Sequence, residues 1–221
     1  MKRVLKLFVL AVLLLVGNRV LAQKNHEYVD LGLPSGTLWA TCNVGANKPE
    51  DFGNYYAWGE TQTKTTYYEE NYKFWKSYSL TRYCSTSIQG YNDYSDKLTT
   101  LQSSDDPATV NWGNAWRTPS EAQWEELLQN TTNKWTTRNG VNGRLFTSKK
   151  NGQTLFLPAA GTRYESELCR TGISGYYWSR TLNPYDSWYA KDFSFGSDGC
   201  GICEYANMRR FRGFSIRPVR K

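Results

Sequence analysis

The stretch Thr118-Pro119-Ser120-Glu121 begins the one segment of this chain with a clear helical pattern. It has the sequence of a capping box with proline in the first turn. The apolar residues that follow are spaced to share one helical face: Ala122, Trp124, Leu127 and Leu128. The pattern predicts a helix over residues 119–130. The chain around it shows short alternating runs punctuated by Gly and Pro, which predict short strands and turns.

Short strands are predicted on both sides of this helix. Residues 27–33 and 37–42 flank a Leu-Pro-Ser-Gly turn, which indicates two strands upstream. Downstream, residues 144–148 and 154–158 predict a hairpin. Later strands are expected at residues 176–179, 188–195 and 213–219.

Residues 61–109 are rich in Thr, Tyr, Ser and Asp and show little periodicity. This composition predicts a long surface excursion between the early strands and the helix. The chain has no internal repeat and no stretch with the composition of an interdomain linker. We therefore expect residues 23–221 to form a single domain, with residues 213–221 required for folding.

The N-terminal 22 residues have the pattern of a secretory signal peptide. A basic start precedes an apolar run over residues 7–16, and Val20-Leu21-Ala22 supplies a cleavage site after Ala22. A membrane anchor is disfavoured because ten apolar residues span roughly 15 Å as a helix, about half of a bilayer core. We expect a protein that is secreted, periplasmic or at the cell surface, without membrane insertion after cleavage.

Composition narrows the functional classes. Hydrophobic residues make up 39% of the chain and charged residues 21%, which is typical of a soluble globular protein. The formal charge is +7, but after removal of the signal peptide the remaining 23 basic and 20 acidic residues leave +3, too little to indicate a nucleic-acid partner. The single histidine, His26, argues against a multi-histidine metal site and is expected to be solvated. No cofactor is predicted.

Export would place the five cysteines in an oxidising compartment. The disulfide candidates are Cys42, Cys84, Cys169, Cys200 and Cys203. The number is odd, so at least one thiol is left unpaired, and spacing does not choose among the pairings. Cys200 and Cys203 have the spacing of a redox or zinc motif, but their Gly-rich surroundings favour a structural bridge within that loop or from it to Cys169.

Seven blocks of the sequence carry a family resemblance. They include Arg-Thr-Pro-Ser-Glu-Ala-Gln-Trp near the predicted helix and Gly-Phe-Ser-Ile-Arg-Pro near the end. Together they resemble the Fibrobacter succinogenes major paralogous domain, which is common in exported Bacteroidota proteins. The blocks are residues 28–46, 56–60, 108–113, 116–124, 157–161, 176–179 and 213–219.

The resemblance implies a compact α+β domain with a C-type-lectin-like fold, related to the fold of the formylglycine-generating enzymes. Such a fold has short antiparallel strands, one or two helices and much irregular loop. Catalysis of the formylglycine-generating type would need a cysteine pair, for which Cys200 and Cys203 are the local candidates; their spacing is shorter than that family's. In lectin-like domains the equivalent late segment forms much of the ligand face, and in the variable proteins of diversity-generating retroelements it is the diversified part.

The aromatic content of 15% therefore favours a binding surface on the late loops. Six tryptophans lie inside the recognised blocks and are assigned to the core: Trp39, Trp58, Trp112, Trp116, Trp124 and Trp178. The candidate ligand-binding residues lie between the last two blocks: Tyr185, Trp188, Tyr189, Tyr205, Arg209, Arg210, Phe211 and Arg212. We expect a non-catalytic recognition domain that binds a glycan or a cell-surface protein. The alternatives are a structural envelope protein without a specific ligand and a thiol-dependent oxidase.

Overall fold

The computed structural model describes residues 26–202 and 208–221. Within them the chain is mixed α+β, mostly short strands with two α-helices, α1 (Pro107–Trp112) and α2 (Glu121–Asn130). The strands are β1 (Tyr28–Asp30), β2 (Leu38–Ala40), β3 (Tyr55–Tyr56), β4 (Trp75–Lys76), β5 (Ser79–Leu80), β6 (Thr131–Arg138), β7 (Val141–Ser148), β8 (Thr154–Pro158), β9 (Thr162–Tyr164), β10 (Glu167–Cys169), β11 (Gly175–Leu182), β12 (Tyr189–Phe195), β13 (Cys200–Ile202), β14 (Met208–Arg209), β15 (Phe214–Ser215) and β16 (Val219–Arg220).

The largest sheet has six strands, ordered β13, β12, β11, β15 and β3, with β14 paired to β12 beside β13. Only β11 and β15 pair in parallel within it. Two three-stranded sheets, β1-β2-β16 and β6-β7-β8, and two small hairpins, β4-β5 and β9-β10, complete the strand pairing of the described residues. The C-terminal strands β15 and β16 therefore belong to two different sheets.

The central sheet separates two aromatic cores, because neighbouring residues of a strand point to opposite faces. On one face, Phe193 of β12 stacks on Trp124 of α2 with ring centroids 4.5 Å apart. On the other, Trp178 of β11 stacks on Phe214 at 4.1 Å. All six tryptophans that the sequence assigned to the core are buried, which confirms that assignment.

Helix α2 begins later than the sequence pattern suggested. Ser120, not Thr118, is the N-cap: its hydroxyl accepts from the Gln123 N–H, and the Gln123 side chain accepts from the Ser120 N–H. The Thr118 hydroxyl instead donates to Asp106 at 2.6 Å. Pro119 therefore precedes the helix.

Two strand predictions need correction. The region 131–138 forms the long strand β6, which the sequence did not reveal because most of its side chains are polar and face solvent. The predicted strand at 213–219 is divided into β15 and β16, which pair with different neighbours. The early strands and the 144–158 hairpin are confirmed. Residues 61–109 are irregular, as predicted, but they are not a surface excursion, because Tyr72, Phe74 and Tyr83 are buried in the core. Helix α1 at the end of this region was not predicted.

Asp192 of β12 carries a buried carboxyl group whose loss of hydration is not offset by hydrogen bonds to described residues. It is 1% exposed, and neither carboxylate oxygen has a hydrogen-bond partner in the described residues. It lies opposite Trp178 on the adjacent strand. Burial raises the pKa of Asp192 well above its usual value, with only a small opposing effect from Lys191.

We expect Asp192→Asn to stabilise the protein at pH 7. The folded state holds the Asp192 proton more tightly than the unfolded chain, so the free energy of unfolding falls as pH rises above about 4, by at most about 1.4 kcal/mol per pH unit. Urea unfolding at pH 4 and pH 7 should show the advantage of the variant growing with pH. Asp198→Asn, at an exposed carboxylate, is the control. Equal stability of Asp192→Asn and wild type at pH 7 would contradict this interpretation.

Candidate functional site

A tight turn at residues 209–212, which we call the late turn, organises the predicted binding residues. It is closed by a hydrogen bond from the Arg212 N–H to the Arg209 carbonyl at 3.0 Å. Strand β14 leads into the turn and pairs with the start of β12, with Arg209 opposite Tyr189. After the turn, Gly213 pairs with Arg163. The turn is therefore held on both sides by strand pairing.

Arg210 points into the core, so its assignment as a ligand-binding residue was wrong. It is 1% exposed. Its guanidinium donates to the Tyr72 hydroxyl at 2.8 Å and to the carbonyls of Ser187 at 2.7 Å, Tyr83 at 3.2 Å and Arg82 at 3.1 Å. Four of the five guanidinium N–H donors are thus paired inside the protein, and the side chain presents almost no surface to a ligand.

Arg209 lies on the outer side of the late turn beside two aromatic rings. Its guanidinium carbon lies 5.8 Å from the Trp188 ring centroid and 5.1 Å from that of Tyr189. It also pairs with Glu69 at 3.0 Å, and both charged side chains are partly exposed. Trp188 and Tyr189 are half-buried, so each leaves part of its surface accessible.

The other outward residues of the late turn gather around Tyr164. Arg212 lies over the Tyr164 ring at 4.4 Å, and the ring of Phe211 lies 6.3 Å away. Sequence analysis missed Tyr164 because it is far from the late segment in the chain and reaches it only through the pairing of Arg163 with Gly213. The aromatic–arginine face is defined by Tyr164, Trp188, Tyr189, Arg209, Phe211 and Arg212.

The remaining candidates do not join this face. Tyr185 lies in the β11–β12 connection and is 92% exposed; its backbone N–H donates to the Asn183 side chain at 2.8 Å. Within the described residues no ring contact links Tyr185 to the aromatic–arginine face. Tyr205 lies outside the described residues.

A second feature is a cleft that the sequence did not predict. It has a volume of about 1100 Å³ and is formed by the first described residues, the loop after β2, strand β3 and the end of α1. We call it the N-terminal cleft. Its lining includes His26, Glu27, Thr41, Cys42, Ala46, Asn47, Asn54, Tyr56, Val110, Asn111, Trp112 and Asn114.

Asp106 fixes one wall of the N-terminal cleft. Its carboxylate accepts from the Ala108 N–H at 3.0 Å, which caps helix α1, and from the N–H of Thr118. Trp112 at the end of α1 is thereby held against His26, whose ring lies parallel to it at 3.6 Å. His26 is packed, not solvated as the sequence suggested.

The opposite wall contains a close backbone approach. Gly45 has φ of +82°, and a Cβ there would overlap the Asn54 side chain. Only glycine satisfies both conditions without strain. Asn54 in turn donates to the Tyr56 hydroxyl at 3.3 Å.

The cysteines of the described residues are all free thiols: Cys42, Cys84, Cys169 and Cys200. Neither expected bridge is therefore formed, since Cys200 is not paired within its own loop and Cys169 is not paired with that loop. Cys203 lies outside the described residues. Burial raises the pKa of the Cys84 thiol to about 11 and also raises the pKa of Cys42 and Cys200.

Cys200 lines a small pocket of about 330 Å³ together with Tyr176, Ser194 and Asp198. Its thiol donates to the Asn133 side chain at 3.3 Å. A raised pKa keeps this thiol protonated near neutral pH, whereas the thiolate is the reactive form. Burial in this pocket therefore opposes formation of the Cys200 thiolate.

Comparisons with known proteins give no assignment. A scan against models of protein families, a search of curated proteins and a search of solved structures each found no match. Across residues 26–202 and 208–221, no group of three or more His, Cys, Asp or Glu side chains is placed to hold a metal ion. In the same part of the chain, no helix has the length and apolar character needed to span a membrane.

Arg210→Ala should strongly destabilise the protein, because it leaves buried oxygens of Tyr72, Tyr83 and Ser187 without their donor. Each such group costs about 1–3 kcal/mol, so we expect a loss of about 3 kcal/mol or more in the free energy of unfolding. Arg209→Ala, one residue away and partly exposed, should change stability by less than about 1 kcal/mol. Chemical denaturation gives the free energy of unfolding of both variants. A small loss of similar size in the two would contradict the structural role of Arg210.

The free thiols predict a staged labelling experiment. In the native protein, a maleimide should react with Cys169 and Cys200, which are half-buried, and not with Cys42 or Cys84, which are buried. After denaturation at least four thiols should titrate. Cys84→Ser should remove one of the protected thiols. Fewer than four in denatured wild type would show that a disulfide forms.

Proposed function

We propose that this protein is an exported recognition domain that binds a surface protein through the aromatic–arginine face. The observation that carries the proposal is the late turn. It buries Arg210 while Arg209, Phe211 and Arg212 remain partly accessible beside aromatic rings. A rigid turn that presents these residue types has the character of a binding hot spot.

The composition of the face favours an acidic protein segment as the partner. Tryptophan, tyrosine and arginine are the residues most enriched at the centres of protein interfaces. The pair between Arg209 and Glu69 is partly exposed at both ends, and exposed pairs contribute only about 0–1 kcal/mol, so a partner carboxylate can replace Glu69 at little cost. Arg212 has no ion pair with a described residue and offers a second charge.

Pre-organisation supports the same proposal. The turn is closed by its own hydrogen bond, anchored by Arg210 and flanked by paired strands. Ordering a flexible loop on binding would cost free energy that a fixed turn does not lose. A ligand-binding role therefore agrees with the way the turn is built.

The fold assignment belongs to the proposal as well. Short strands, two helices and long irregular connections are what a C-type-lectin-like domain would show. The resemblance to the Fibrobacter succinogenes major paralogous domain supports that fold and, with the signal-peptide pattern, export. The recognition role rests on the late turn and not on the cysteines, since Cys203, the second thiol that an oxidase pair would need, lies outside the described residues. It is favoured over a purely structural protein by the partly exposed arginines.

The test is a binding screen with charge-reversal variants. Protein purified after expression of the full-length chain is applied to arrays of extracellular proteins and of glycans. We expect hits among proteins with acidic surface segments. Arg209→Glu and Arg212→Glu should each weaken a hit at least tenfold in a binding isotherm, since charge reversal repels an acidic partner.

Lys76→Glu is the matched control, since Lys76 also lies over a tyrosine ring, Tyr91, at 4.3 Å but outside the face. It should leave affinity unchanged, and all variants should melt near the wild-type temperature. Hits confined to the glycan array would reject the protein partner. If Arg209→Glu and Arg212→Glu bind a hit as tightly as Lys76→Glu does, the aromatic–arginine face is not the binding surface.

A further inference from the structure

The N-terminal cleft is large enough for an extended ligand. Its volume of about 1100 Å³ exceeds the range of roughly 300–1000 Å³ typical of pockets for small molecules. It shares no lining residue with the aromatic–arginine face. An occupant would therefore be recognised by different groups from those proposed to bind a protein.

Amide side chains dominate the polar lining of this cleft. Four asparagines reach it from three separate segments: Asn47, Asn54, Asn111 and Asn114. The side chains of Asn47 and Asn114 are exposed and make no hydrogen bond to any described residue. Each retains a carbonyl acceptor and an NH₂ donor for a ligand.

The two other asparagines are held in place by bonds that leave their acceptors available. The NH₂ group of Asn111 donates to the Pro107 carbonyl at 2.8 Å and to the Thr61 carbonyl at 3.2 Å. The NH₂ group of Asn54 donates to the Tyr56 hydroxyl. Their side-chain oxygens accept no bond from a described residue and can accept from a ligand hydroxyl.

An ordered aromatic wall lies next to these amides. His26 stacks on Trp112 with an interplanar angle of 6°, and Trp112 meets Trp116 edge to face at 5.2 Å. This arrangement fixes the imidazole ring in the cleft. A flat, rigid ring is suited to packing against the C–H face of a sugar, while neighbouring amides bind its hydroxyls.

The charge of the lining narrows the ligand class. Among the described residues that line the cleft there is no Lys or Arg, and Glu27 is the one acidic side chain. An anionic ligand would therefore meet a carboxylate with no cation among these lining residues. A neutral ligand rich in hydroxyl groups would instead donate hydrogen bonds to Glu27 and to the asparagine oxygens.

We infer that the N-terminal cleft is a binding site for a neutral oligosaccharide. Asn47 and Asn114 bind hydroxyl groups, the His26 ring packs against a sugar face, and Glu27 accepts hydrogen bonds from further hydroxyls. The site is independent of the proposed protein-binding face. Together the two sites would let the molecule link a glycan to a surface protein.

The test uses intrinsic tryptophan fluorescence, since Trp112 and Trp116 lie in or beside the cleft wall. Protein purified after expression of the full-length chain is titrated with four neutral probes: cellohexaose, mannohexaose, xylohexaose and maltohexaose. Hexagalacturonate is the anionic probe. We expect at least one neutral probe to give a saturable change and hexagalacturonate to give none.

The double variant Asn47→Ala/Asn114→Ala should weaken that binding at least fivefold, because it removes the two amides that have no partner within the described residues. Its melting temperature should stay near wild type for the same reason. Gln129→Ala is the matched control: it removes an exposed amide from helix α2, outside the cleft. It should bind like wild type.

Three results would overturn the inference. The first is that none of the neutral probes binds wild type. The second is equal binding by the double variant and wild type. The third is binding of hexagalacturonate alone.

Discussion

The buried guanidinium of Arg210 is the interaction on which the rest of the structure depends. A charge taken out of water is unfavourable by several kcal/mol unless every donor is satisfied. Here four of the five N–H donors are paired, with the Tyr72 hydroxyl and with the carbonyls of Arg82, Tyr83 and Ser187. The long excursion and the β11–β12 connection therefore have to adopt one arrangement around this side chain.

The rings around Arg210 add to this constraint. Its guanidinium carbon lies within 6 Å of four ring centroids, at distances from 4.9 to 5.8 Å: those of Trp58, Tyr72, Phe74 and Tyr83. Three of these rings come from the excursion, whose sequence has almost no periodic pattern. The excursion is thus ordered by packing around a cation and not by its own strands, which are only two residues each.

Burial of Arg210 also determines which side chains of the late turn lie at the surface. Because Arg210 is drawn inward, the residues on either side of it are held at the surface in fixed positions. The face that results is cationic and aromatic, whereas the N-terminal cleft is lined by amides and a carboxylate. The two surfaces therefore present different chemical groups to solvent.

The sequence by itself determined helix α2, the buried tryptophans, the early strands β1 and β2 and the hairpin of β7 and β8, because these depend on local periodicity and turn residues. It also singled out residues 209–212 as candidate ligand-binding residues, although it treated Arg209 and Arg210 alike. Only the tertiary structure separated them, since neighbouring residues of a tight turn can point to opposite sides and no local pattern says which side is the core. The N-terminal cleft could not be predicted from the sequence, because no local pattern shows which distant residues come together. Its asparagines are distant in the chain, and they come together only when Asp106 and the close approach at Gly45 fix its walls.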